Sequence, residues 1–176
     1  MRAPTAPAVL LALALAGCSP DAARDPLAPS APSLARGGHG DAATKAKRIH
    51  GTLEATETGV FRPGTPPLSV RHLEGTGTAS HLGRFTVVAD FTLNLATFTG
   101  GGSVTYTAAN GDVLTGTATG RAVVGGGIAA VTETVTITGG TGRFAGATGT
   151  FTVLRRVVQA TGVSSGTIDG TITLPK

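Results

Sequence analysis

Tryptophan is absent from this chain of 176 residues, tyrosine and cysteine occur once each, and only 14% of residues are charged. Each shortage excludes something. A single cysteine leaves no intrachain disulfide framework and no cysteine-ligated zinc site. The four histidines, at 39, 50, 72 and 81, contain no His-x-x-x-His pair, which counts against a metal enzyme; neither metal nor cofactor is expected. Aromatic residues make up 4% of the chain and do not interleave with a basic stretch, so nucleic acid is not an expected partner. No apolar run is long enough to cross a membrane as a helix. Helices are disfavoured generally, because the 27 glycines and 29 threonines have poor helix propensity. An apolar content of 40% still suffices for a core.

The first 44 residues read as address and tether. Arg2 gives a positive start and Val9–Ala16 a short apolar run, so residues 1–17 read as a secretion signal. The run ends in Leu15-Ala16-Gly17-Cys18, which resembles the lipobox of bacterial lipoproteins. That resemblance implies cleavage before Cys18 and acylation (palmitate among the chains) of its thiol and new amine. It also implies that Ser19 sends the protein to the outer membrane, facing the periplasm or the surface. Each buried CH₂ contributes about 0.8 kcal/mol, and two or more acyl chains hold a protein stably. Residues 18–44 are rich in Ala and Pro, with prolines at 20, 26, 29 and 32. Such a stretch cannot bury enough surface to offset its ordering entropy and is expected to be a disordered linker. Lys45, Lys47 and Arg48 read as a solubilising hinge at the start of the folded domain, residues 45–176.

From Arg48 onward the hydrophobic period is two. In Val131-Thr132-Glu133-Thr134-Val135-Thr136-Ile137-Thr138 threonine fills every second position, which predicts one wet and one buried face. Asn110-Gly111-Asp112 is a hairpin signal, and Gly125-Gly126-Gly127, Arg62–Pro67 and His81-Leu82-Gly83 are breaks. These predict strands near 48–58, 68–79, 84–93, 97–107, 112–123, 128–138, 148–158 and 163–174. Eight such strands with short connections suggest an all-β fold, a single antiparallel barrel; closure would remove exposed edges. Gly116, Gly120, Gly166 and Gly170 inside strands fit the bends and close packing of a small barrel. The one candidate helical turn is Thr141–Ala145.

The stretch Thr138-Gly139-Gly140-Thr141-Gly142-Arg143-Phe144-Ala145-Gly146-Ala147-Thr148-Gly149 resembles a motif of dirigent proteins and relatives of allene oxide cyclase. The resemblance covers about a dozen residues. It implies an eight-stranded antiparallel barrel with an apolar cavity, with Gly139, Gly140, Gly142 and Gly149 serving turn geometry and Phe144 plugging a barrel end. It assigns no substrate-binding residue here.

Few residues suggest chemistry. Gly162-Val163-Ser164-Ser165-Gly166 matches Gly-x-Ser-x-Gly, but a nucleophile elbow needs a helix after the turn, and strands flank it here. No catalytic residue is assigned. Irregularly spaced Thr-x-Thr pairs lack the fixed period of an ice-binding solenoid. Parity puts Glu133 beside Val131, Val135 and Ile137, Arg155 beside Phe151, Val153 and Val157, and Tyr106 beside Phe98 and Val104. A buried carboxylate must be paired, protonated or wet. A Glu133–Arg155 pair on adjacent strands would solve this, and with Tyr106 these are the candidate polar groups of a cavity. The alternative is a structural ion pair, or a bulge that turns Glu133 outward. His81 falls in a turn and is the candidate barrel-mouth residue; Glu57 and Arg84 read as rim charges.

The sequence therefore points to a lipid-anchored envelope barrel acting as a non-enzymatic binding or scaffold module, with a small apolar ligand as a candidate partner. The alternatives are a cyclase- or dirigent-like enzyme steering a reactive apolar intermediate, and a structural surface protein with a packed barrel. Relatives of such barrels often associate, so an oligomer is compatible with this reading. A porin-like barrel is disfavoured by the scarcity of aromatic girdle residues.

Overall fold

A computed structural model describes residues 45–176; the secretion signal 1–17, Cys18 and the linker 18–44 lie outside the described residues. Eight strands follow in order: β1 (Lys47–Arg62), β2 (Leu68–Ala79), β3 (Gly83–Asn94), β4 (Thr99–Ala108), β5 (Val113–Gly125), β6 (Ile128–Gly140), β7 (Thr148–Val158) and β8 (Val163–Thr173). Each pairs antiparallel with its sequence neighbour, and β8 returns to β1, closing an up-and-down barrel. The four connections β1–β2, β3–β4, β5–β6 and β7–β8 therefore share one end. The other three connections share the opposite end with both ends of the barrel domain.

The period-two pattern becomes the two faces of the wall. In β7, Phe151, Val153, Arg155 and Val157 point inward and are buried, while Leu154, Arg156 and Val158 are exposed. Threonine supplies much of the outer face, where a β-branched polar residue suits an exposed strand. The lumen is narrow, and register resolves the crowding. Inward Phe85 lies across from Gly77 and Phe151 from Gly170. A Cβ on Gly77 would meet the Phe85 ring, and one on Gly170 the Phe151 side chain. The glycines that a flat sheet would hold against itself are the volume into which neighbouring aromatics lie.

The end carrying the β2–β3, β4–β5 and β6–β7 connections is closed. Phe144, wholly buried on a 3₁₀ turn (Gly142–Phe144), packs in one cluster with Leu82, Ala147, Leu114 and Ile172. Two motif glycines build this turn. Gly139, at φ +140°, carries the bulge that shifts the β5–β6 register after Thr115. Gly142, at φ +54°, lies so close to the Asp112 carboxylate that a Cβ would not fit. The Thr141 hydroxyl accepts a bond from the Val113 N–H at 3.0 Å, and Arg143 lies over the Phe144 ring while donating to the Leu82 carbonyl at 2.9 Å. Above the plug, Tyr106 stacks edge-on between Phe85 and Phe151, at centroid distances of 5.4 and 5.7 Å.

The chain departs from the sequence expectation at four strand ends; β5 and β6 each run two residues further, to Gly125 and Gly140, and the other two differences have a clear cause. β1 continues to Arg62 rather than stopping near 58, because Thr58–Arg62 find partners on β2. β4 begins at Thr99, not 97. Phe98 has φ +54° in the preceding turn, so it leaves the strand face it was expected to share with Tyr106.

Two consequences can be measured. Phe144→Ala would open a cavity in the closed end and cost about 3–5 kcal/mol in urea unfolding. On the outer wall, His72 bonds to Asp90 on β3 at 2.7 Å and to Glu74 at 3.2 Å. The bonds to Asp90 and then Glu74 raise its pKa above the ordinary 6.5. A raised folded pKa adds stability that is fully present below the unfolded value and is lost as pH rises through the folded one. The destabilisation caused by His72→Gln should therefore be larger at pH 5.5 than at pH 9; an equal loss at both would refute the charged contact.

Candidate functional site

Midway up the lumen the filling changes from apolar to ionic. Arg155 is inward on β7, and its side chain is only 4% exposed. A buried guanidinium must use its donors, and three other strands supply acceptors. From β6, Glu133 takes Nη2 on Oε1 at 2.7 Å and Nε on Oε2 at 3.2 Å. From β1, Glu57 Oε2 accepts from Nη1 at 3.0 Å. From β8, the Ser164 hydroxyl accepts from Nη1 at 3.4 Å and donates to the Ala55 carbonyl at 3.3 Å. Burial alone would lower the Arg155 pKa; the bonds to Glu133 and then Glu57 outweigh it and raise the value, so the guanidinium stays charged.

The cluster extends toward the open end. The other Glu57 oxygen accepts from Arg71 Nη1 at 3.0 Å, and Arg71 Nε donates to the buried Ser69 hydroxyl at 3.0 Å. Two arginines and two glutamates thus alternate across four strands, with no net charge. Glycine again makes the room: Glu133 lies across from Gly120 and Arg155 across from Gly166, and a Cβ on either glycine would crowd the facing side chain. Both carboxylates have both oxygens engaged. Arg71, with a side chain 31% exposed, is the most accessible member.

This cluster lies at the base of a cavity of about 610 Å³ that opens between the β1–β2, β3–β4, β5–β6 and β7–β8 connections. Phe91, Leu93, Leu95, Val131 and Val157 line its walls, with Phe61 and Phe98 among the lining residues near the opening. The volume falls within the range of small-molecule sites, and a mostly apolar wall with a few convergent polar groups is their usual composition.

The structure brings Glu133 and Arg155 together at this cavity. Tyr106 is not among the residues that line it. It is deeper, in the aromatic layer, and its phenol is pushed well above the ordinary range by burial and then by the charge of Glu133. His81, at φ +69°, is exposed in the β2–β3 turn at the closed end, opposite the cavity opening and not at a mouth. Arg84 is exposed beside it. Glu57 is not a rim charge: it is an inward residue, its side chain 10% exposed, that bridges two arginines. Sequence reasoning passed over it and Arg71 as cavity groups, although their signal was present. Glu57 shares parity with Leu53 and Ala55, and Arg71 with Leu73. Ser164 serves as an interior hydrogen-bonding group between strands.

No family model and no curated protein matches the chain. Among solved structures it is similar to the pterocarpan synthase dirigent protein GePTS1, with a TM-score of 0.56 and 17% identity over 85% of this chain and 100% of the other. It is likewise similar to the pterocarpan synthase dirigent protein PsPTS1, at 0.56 and 16% over 75% and 97%. At such identities the likeness is one of fold: the chain has a dirigent-like eight-stranded barrel.

The ion cluster can be tested by unequal substitutions. Arg155→Met strands the Glu133 carboxylate, leaves Glu57 with Arg71 alone, and should destabilise by about 3–5 kcal/mol. Adding Glu57→Gln and Glu133→Leu removes those charges and should restore much of the loss; a triple variant no more stable than Arg155→Met would argue against charge compensation as the role of the cluster.

Proposed function

We propose that the protein is a lipid-anchored envelope barrel that holds a small, largely apolar molecule without transforming it. The observation that carries this reading is the open cavity: packing is complete around Phe144 and Tyr106 but stops at the ion cluster, leaving about 610 Å³ beneath the opening. An interior filled by its own side chains, as a purely structural barrel requires, would not leave that space. The polar groups favour holding over chemistry. Both Glu133 oxygens are occupied by Arg155, and Tyr106 has a raised pKa and stands away from the cavity lining. Arg71 remains to orient an acceptor atom on a ligand. The two similar structures are named as pterocarpan synthase dirigent proteins, and the shared barrel supports a steering role as the second reading. The Leu15–Cys18 motif supports anchoring through acylated Cys18 in the outer membrane.

Native mass spectrometry of the protein gently released from its own envelope tests the first reading. An extra mass, lost on denaturation and reduced in Val131→Trp, which fills the cavity, is the expected result. A clean apo mass, together with no uptake of a neutral fluorescent naphthyl probe, would refute it. Conversion of the bound molecule, abolished by Glu133→Gln with the fold intact, would favour the steering reading.

A further inference from the structure

The exposed surface of the barrel is uneven along its axis, and at the open end it includes Phe61, Phe98 and Val124, which also line the cavity mouth. Ten large apolar side chains are exposed among the described residues, and eight of them are at the open end: Val60, Phe61, Val70, Phe98, Val123, Val124, Val158 and Val163. The other two, Val88 and Leu154, are in mid-strand. Val60 and Val70 face each other across the β1–β2 ladder, and Val123, at 67%, is the most exposed of all. Single exposed apolar residues mean little, but a ring of them at one end marks a contact surface.

Charge identifies the kind of contact. Residues 58–69, 95–99, 121–130 and 157–163, which make the rim, contain no acidic residue, and their charged side chains are Arg62 and Arg121, both exposed. The nearby carboxylates, Glu57 and Glu133, are turned inward and bonded to Arg155 and Arg71. The closed end is also basic, with Lys45, Lys47, Arg48, Arg84, Arg143 and Lys176 against Asp112 and Asp169, but it carries none of the exposed large apolar side chains, so only the open end joins cations to an apolar collar. An apolar collar with cations and no anions is complementary to a bilayer carrying anionic headgroups: aliphatic and aromatic tips enter the interface while arginines meet the charge. We propose that the open end of the barrel docks on an anionic lipid surface, with the cavity opening facing the bilayer.

Docking does not depend on a ligand: an empty barrel would present the same collar.

The absence of tryptophan makes the test clean. Full-length unlipidated chain (Cys18→Ser) would carry Phe61→Trp, Val123→Trp or His81→Trp, each a sole tryptophan. These are mixed with vesicles of phosphatidylcholine alone or with phosphatidylglycerol, some with acyl chains brominated to quench. Blue-shifted, bromine-quenched emission at positions 61 and 123, with anionic vesicles and not at 81, is expected. Arg62→Gln and Arg121→Gln should each weaken that response by about fivefold. Three outcomes overturn the proposal: no quenching at 61 and 123, stronger quenching at 81, or a lipid-independent blue shift that grows with protein concentration. The last would assign the collar to a second copy of the chain.

Discussion

The lumen of an eight-stranded barrel has space for one layer of side chains at a time. This restriction governs the domain more than any single contact. Phe85, Phe151, Glu133 and Arg155 can point inward only because Gly77, Gly170, Gly120 and Gly166 stand across from them on the next strand. The composition follows. A chain with many glycines and few aromatics looks poorly suited to a core, yet in this closed tube several of the largest inward side chains face a glycine, and a surplus of bulk would force the wall apart. Register is thereby fixed twice, by the alternation of wet and dry faces and by the matching of large against absent side chains.

Within that restriction Arg155 imposes a second one. A guanidinium taken out of water needs its donors met, and no single strand in a barrel can meet them. Glu133, Glu57 and Ser164 come from β6, β1 and β8, so satisfying one residue of β7 ties together both its neighbours and the strand that closes the tube. A buried ionic group is often less stabilising than apolar packing of the same volume. Its value here is positional. Apolar filling below and an open space above need a layer between them that neither collapses nor admits further side chains, and a neutral Arg–Glu network with its oxygens engaged is such a layer.

Architecture was legible in the sequence because barrel geometry is written in a period of two and in glycine-rich punctuation. The eight strands and the Asn110–Asp112 turn follow from alternation and punctuation together, and the inward placement of Glu133 and Arg155 from parity. Parity failed where the chain left the strand: Phe98 was assigned to the face of Tyr106, and a positive φ at that residue removed it. Carried along β1 and β2, parity turns Glu57 and Arg71 inward; charge alone suggests a rim for Glu57. The level at which a residue sits along the axis is a different matter. His81 and Tyr106 were placed near a cavity, but which end of the tube is open depends on how completely Phe144, Leu82 and Ala147 fill the other, and alternation carries no term for that.

The two ends answer to one cause. The β6–β7 connection is long enough to fold back as a turn and insert Phe144, and β2–β3 contributes Leu82, so the apolar content of those connections is spent inside. The connections at the other end insert nothing comparable. The β5–β6 link is little more than Gly126 and Gly127, and the strands running up to it end in Val123 and Val124 with no plug to cover. What the closed end buries against itself, the open end presents to its surroundings. The cavity and the exposed collar are therefore one feature seen from two sides: apolar strand ends left unfilled within and uncovered without. A partner that satisfies the outer side must tolerate the opening at its centre. A fluid apolar phase does so more readily than a rigid protein face, which would have to supply a knob shaped to the hole or leave a void.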